Sequence, residues 1–234
     1  MLFDIISADK TERTKNMKNS TKARNTLIFL GAAFIAAFVI WTLLLCAVDV
    51  QAIGPRSSSV GFGTLNQFFH RLTGVNMTLY LITDWLGLVP IAFALGFAVL
   101  GFVQWIKRKS ILAVDRSILA LGVFYVAVIA VFVLFENMVI NYRPTLIDGY
   151  LEASYPSSTT LLVTCVMPTA MIQLGERIKH KRLRAIVLLA IAAFIAFMVI
   201  GRLLSGVHWF TDIIGGALIS TGLVSLYIAA CMQK

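Results

Sequence analysis

The chain has 234 residues, of which 59% are hydrophobic, and a mean hydropathy of +0.87. No water-soluble domain needs so much apolar surface, so the composition describes one integral membrane domain with too little polar sequence for a second globular one. The formal net charge of +9 suits basic loops facing anionic lipid. No basic stripe is interleaved with exposed aromatics, which argues against nucleic-acid binding.

Residues 1–26 read as a basic, mobile cytoplasmic tail, and residues 27–232 as a single membrane domain. A bilayer crossing needs roughly 20 apolar residues. Stretches of this kind occur at 27–48, 79–103, 117–140, 159–175, 185–201 and 213–232, which predicts an all-α bundle of six transmembrane helices. The first stretch is too long for the apolar core of a signal peptide and follows a long polar segment, so it is read as an uncleaved span. Bulky Leu45 also stands where a lipoprotein cleavage site before Cys46 would need a small residue. In the longest outer connection, 49–77, Phe62, Leu65, Phe68, Phe69 and Leu72 recur at helical spacing. That pattern predicts a short amphipathic helix at the interface, packed on the bundle or covering a lipid entrance. Pro90 and Pro168 fall inside spans, where neighbouring helices tolerate a kink. Cys46, Cys165 and Cys231 lack metal-ligand spacing and read as small core residues. No P-loop or dinucleotide fingerprint occurs, and no cofactor or metal is implied.

Charge decides the orientation. With six spans, 16 of the 20 Lys and Arg residues fall on one side. They are Lys10, Arg13, Lys15, Lys18, Lys22 and Arg24 before the first span, Lys107, Arg108, Lys109 and Arg116 after the second, Arg177, Lys179, Lys181, Arg182 and Arg184 after the fourth, and the terminal Lys234. The positive-inside rule then makes both termini cytoplasmic. A different span count would scatter these charges.

The other side holds Arg56, Arg71, Arg143 and Arg202, and it also holds the polar groups with chemical capability. Arg143-Pro144 follows the third span, Pro156-Ser157-Ser158-Thr159 precedes the fourth, and Arg202 to Asp212 joins the fifth to the sixth. His208 and Asp212 are four apart, so on a helix they would share a face. A carboxylate there can hold one imidazole nitrogen and leave the other free to attack. Two guanidiniums, hydroxyls and free amides at a helix start make an anion cradle. This set suggests phosphoryl transfer, which needs charge neutralisation and an in-line attacker. Ser157 also reads as an N-cap of the fourth span, and Asp84, inside the second, as a polar contact or a partner for an Arg.

These segments resemble the type-2 phosphatidic acid phosphatase (PAP2) superfamily, whose pattern is K-x6-R-P, then P-S-G-H, then S-R-x5-H-x3-D. This chain reads Glu136-x6-Arg143-Pro144, then Pro156-Ser157-Ser158-Thr159, then Gly201-Arg202-x5-His208-x3-Asp212. The resemblance implies an extracytoplasmic lipid phosphatase of the plasma membrane that needs no metal. It implies that His208 attacks phosphorus and becomes a phosphohistidine, with Asp212 orienting it. Arg143 and Arg202 would hold the phosphate oxygens, helped by Ser157, Ser158 and Thr159 at the helix start.

The chain departs from the pattern at four positions. Glu136 replaces a Lys, and a carboxylate repels phosphate; it could clamp an Arg or meet an amine on the substrate head group. Ser158 replaces Gly, and Gly201 replaces Ser. Thr159 replaces the His that protonates the leaving group, and a threonine is no general acid near neutral pH. A weakly basic leaving group removes most of that need, which points to a lipid pyrophosphate such as a polyprenyl pyrophosphate. A substitute acid is the rival explanation, with His70, Tyr155 and Glu152 on the correct side and His70 foremost, although an exposed interfacial role suits His70 better. The same residues would also serve a phosphotransferase, or a relative that only binds or moves phosphorylated lipid.

Overall fold

The computed structural model describes residues 2–232, with side-chain surroundings described from Ser20 to Met232. Lys234, counted above with the inner charges, lies outside the described residues. The helices are α1 (Leu2–Ala47), α2 (Gly63–Thr73), α3 (Met77–Leu86), α4 (Leu88–Arg108), α5 (Arg116–Asn137), α6 (Ser158–Arg177), α7 (Lys181–Leu204) and α8 (Phe210–Cys231). Among the described residues β structure is confined to isolated bridges. Six segments are long and apolar enough to span a membrane: Ser20–Ala47, Met77–Arg108, Arg116–Asn137, Ser158–Arg177, Lys181–Leu204 and Phe210–Cys231. The protein is thus an all-α, multi-pass membrane bundle. The helix carrying the first span begins at Leu2 and is continuous through the segment expected to be a tail. That segment contains no Gly or Pro, and adding turns to an existing helix is far easier than nucleating one.

The second span is two helices. They meet at Gly87, whose N–H donates to the carbonyls of Thr83 and Asp84. Pro90 therefore lies in the first turn of α4, where its missing N–H would have had no helical partner. The expected kink is in effect a restart.

The fourth span, α6, is the least apolar, with a mean hydropathy of 1.3, and the most buried. Its polar side chains face inward and find partners: Thr164 with Ser220 at 2.7 Å, Thr169 with Tyr125 at 3.3 Å, and Gln173 with the Tyr227 hydroxyl. In lipid the polar face is the packed one, because only neighbouring helices can satisfy it. This inverts the soluble rule and explains why the span looked short in sequence.

The amphipathic helix expected in 49–77 is α2. Phe62, its N-cap, stacks on Trp41 at 5.1 Å and Phe69 on Phe210 at 4.0 Å, while buried Asn66 donates to Thr211 Oγ1 and to the Gly61 carbonyl. Leu65, Phe68 and Leu72 remain exposed on its other side. It packs on the start of α8. Of the cysteines, Cys165 is buried as expected, but Cys46 lies exposed on the surface of α1, because its side of the helix faces away from the bundle.

Candidate active site

At one end of the bundle, opposite the basic α4–α5 and α6–α7 connections, three segments meet. The α5–α6 connection folds back on itself. Tyr142 and Ala153 form an antiparallel bridge, flanked by Arg143 N–H to the Glu152 carbonyl at 3.0 Å and Ser154 N–H to the Asn141 carbonyl at 2.9 Å. This pairing sets Arg143 beside Glu152, and their side chains form an ion pair, Nε to Oε2, of 3.0 Å. Trp209 Nε1 donates to the Tyr142 carbonyl at 2.7 Å and ties the hairpin to the α7–α8 loop.

That loop carries His208. Gly206 turns it with φ +65, and Asn76 N–H donates to the Ser205 carbonyl at 2.9 Å, holding it against the segment before α3. His208 does not lie on α8. It precedes the N-cap residue Trp209, and Asp212 folds back from the third position of the helix to accept from Trp209 N–H at 2.9 Å. Asp212 Oδ2 is also 3.6 Å from His208 Nδ1. The expected four-residue approach therefore arises from helix capping rather than from a shared helical face. Asn141 and Ser154 supply polar side chains beside Asp212. Neither was singled out in sequence, because a loop Asn and Ser carry no spacing signal.

On its other edge, His208 Nε2 is 3.5 Å from an Arg143 guanidinium nitrogen. The ring is 3% exposed. Burial first, then the charges of Arg143 and Arg202, hold the imidazole well below its ordinary pKa. A neutral ring whose Nδ1 faces a carboxylate keeps its lone pair on Nε2.

Arg202, in the last turn of α7, is differently engaged. It is 1% exposed and pairs with Asp84 of α3 at 3.0 Å, with Thr83 Oγ1 and the Tyr80 carbonyl at 3.3 and 3.4 Å. Asp84 is thus the partner of an Arg, one of the two roles read from sequence. Gly201 lets α3 come this close, since a Cβ there would meet Thr83 Cγ2 at 2.8 Å. The Tyr80 ring lies between the two guanidiniums, 4.9 Å from that of Arg202 and 5.8 Å from that of Arg143.

Glu136, Arg143, Glu152, Ser158 and His208 line one cavity of about 50 Å³, with Tyr155 and Pro156 among its walls. The other expected residues lie around it. Ser157 is fully buried and caps α6, its Oγ accepting from Thr160 N–H at 3.4 Å, while its own N–H donates to the Asp212 carbonyl at 3.1 Å. Thr159, one turn position further, is outside the lining, as are Arg202 and Asp212. His70 is also outside; it packs on Trp209 with ring centroids 5.5 Å apart, and burial pushes its pKa down. The Tyr155 hydroxyl is hydrogen-bonded to Thr42 Oγ1 at 2.7 Å.

The fold and this pocket define a polytopic helical membrane protein with a buried histidine–carboxylate pair opening onto an arginine. Residues 137–234 match the family model for the PAP2 superfamily, and this segment contains Arg143, the helix start at 157–159, and Arg202 to Asp212. The resemblance read from the motifs is thus borne out over the part of the chain that carries them. The chain is also similar to a solved structure described as the first transmembrane PAP2 type phosphatidylglycerolphosphate phosphatase from Bacillus subtilis. The two share 18% identity with a TM-score of 0.56, covering 86% of this chain and 94% of that one. At that identity the likeness speaks for the fold. No curated protein matches the chain.

Proposed function

We propose that the protein is a lipid phosphatase that works at the extracytoplasmic face through a phosphohistidine on His208. The observation that carries this reading is the setting of one buried, neutral imidazole: Nδ1 faces Asp212 at 3.6 Å and Nε2 faces Arg143 at 3.5 Å in a small polar cavity. Arg143 would take the phosphate oxygens in place of Glu152, with Ser158 donating from the start of α6. Arg202, locked on Asp84, would act from behind by field rather than by contact, and Ser157 and Thr159 by fixing the helix start. The basic inner loops support cytoplasmic termini and a plasma-membrane location.

The substrate would be a membrane lipid bearing a phosphate or pyrophosphate. The absence of an imidazole at Thr159 favours a polyprenyl pyrophosphate, whose leaving phosphate needs little protonation. Phosphate release from phosphatidic acid, phosphatidylglycerophosphate and polyprenyl pyrophosphate by protein in lipid nanodiscs tests this. His208→Ala should abolish release from whichever lipid the wild type cleaves; unchanged turnover in that variant would refute the mechanism. Appearance of phosphorylated acceptor alcohols instead of free phosphate would mark a transferase.

A further inference from the structure

The reaction proposed above lacks a proton donor at Thr159, and the cavity contains two carboxylates that have no role in it. Resting on the phosphohistidine part of that reading, and replacing its ground for a pyrophosphate, we infer that Glu152 is the acid–base residue that serves the leaving group of a lipid phosphate monoester. Three side chains on this side of the bundle could have taken the role. His70 is outside the cavity behind Trp209, and Tyr155 donates or accepts at Thr42. Glu152 lines the same cavity as His208, and Arg143 touches both, at 3.0 and 3.5 Å. Its carboxylate is 42% exposed, so it can exchange protons with water.

The ion pair also supplies a trigger. With Arg143 bound to Glu152, the guanidinium charge is already met, and an entering phosphate must displace the carboxylate to reach it. A phosphate monoester entering as its monoanion brings one proton. As Arg143 exchanges Glu152 for the phosphate oxygens, the released carboxylate loses its cation beside a new anion, which favours transfer of that proton from the phosphate to Glu152. The His208 Nε2 lone pair then forms the N–P bond while the P–O bond to the lipid breaks. The departing oxygen keeps the bonding pair and takes the proton from Glu152. In the second half, water attacks phosphorus, its proton passes to the Glu152 carboxylate, and the N–P pair returns to Nε2. Phosphate leaves with that proton as the Arg143–Glu152 pair re-forms. The sum is ester plus water giving alcohol plus phosphate.

The test is a leaving-group series on full-length protein in nanodiscs: p-nitrophenyl phosphate, phenyl phosphate and a short-chain phosphatidic acid, with wild type, Glu152→Gln and Glu136→Gln. The backbone pairing of the hairpin does not use the Glu152 side chain, and the first-turnover burst of p-nitrophenol reports an intact fold. In that first step Glu152→Gln should release p-nitrophenol within a few-fold of wild type and lose about 10²–10⁴-fold on phosphatidic acid, the usual worth of a positioned acid, while steady-state turnover falls on every ester because the water step loses its base. Arg143 from the hairpin, Glu136 from α5 and His208 from the α7–α8 loop line the same cavity, so the loss is read against Glu136→Gln. An equal loss of the first-turnover rate on all three esters would reduce Glu152 to an anchor for Arg143 and overturn the assignment. A graded loss in Glu136→Gln rather than Glu152→Gln would move the role to Glu136 and overturn it as well. A wild type inert toward all three esters yet active on polyprenyl pyrophosphate would overturn this assignment alone, and one inert toward that substrate as well would refute the underlying phosphatase reading with it.

Discussion

Gly206 is the position where a single methyl group should separate packing from chemistry. Its φ of +65 costs a non-glycine residue about 1–2 kcal/mol. A Cβ built there would also stand 1.7 Å from the Gly74 carbonyl oxygen, which is backbone and cannot rotate away. Forcing that contact apart adds a further cost of about 1–3 kcal/mol, the range for overpacking. Gly149 supplies the control, because its φ is +81 but nothing lies within 4 Å of its missing Cβ. Gly149→Ala should therefore lose only the backbone part, and Gly206→Ala about 1–3 kcal/mol more. The loop also carries His208 two residues on, and a displacement of about 1 Å can cost about 10² in rate. Tryptophan fluorescence melts in nanodiscs at one scan rate, alongside phosphate release, measure both effects. Equal melting temperatures for the two variants would refute the close approach between this loop and the segment before α3.

Asp212→Asn should lower turnover about 10⁴-fold, as for other carboxylates that fix a catalytic imidazole, while Trp209 N–H keeps an acceptor and the melting temperature changes little; phosphate release and melts check this. Asp84→Ala should destabilise the protein by about 1–3 kcal/mol, the 3–5 expected for orphaning a buried charge being discounted for the half-exposed Asp84; a double-mutant cycle with Arg202→Met should recover much of the loss. The depressed pKa of His208 gives a signed pH effect: below the ordinary value of 6.5 the unfolded imidazole binds a proton that the folded site refuses. Stability should therefore fall as pH drops below that value and stay flat above it. For the same reason the His208 imidazole stays unprotonated, and the acid limb of kcat/KM should lie well below 6.5; a limb at or above it would contradict the burial described.

The six spans were readable because crossing lipid demands long apolar runs, and the clustering of Lys and Arg on alternate connections left one arrangement consistent with them. The site was readable at Arg143, His208 and Asp212 because their types and spacing carry chemistry. It was not readable at Asn141, Ser154 and Tyr80, which are ordinary residue types brought in by the hairpin and by α3. The shared-face argument brought His208 and Asp212 together for the wrong local reason, since spacing does not say where a helix begins.

Local sequence could thus dictate what is locally enforced: helices where lipid forbids unpaired backbone, and an imidazole and a carboxylate four residues apart. The division of labour between the two arginines was decided only by packing. Arg143 and Arg202 are chemically identical and lie at the same end of the bundle, yet Asp84 arrives from α3 to bind one and Glu152 from the hairpin to bind the other. Those partners lie 118 and 9 positions away along the chain, and charges meet according to how helices pack, which no short-range pattern records.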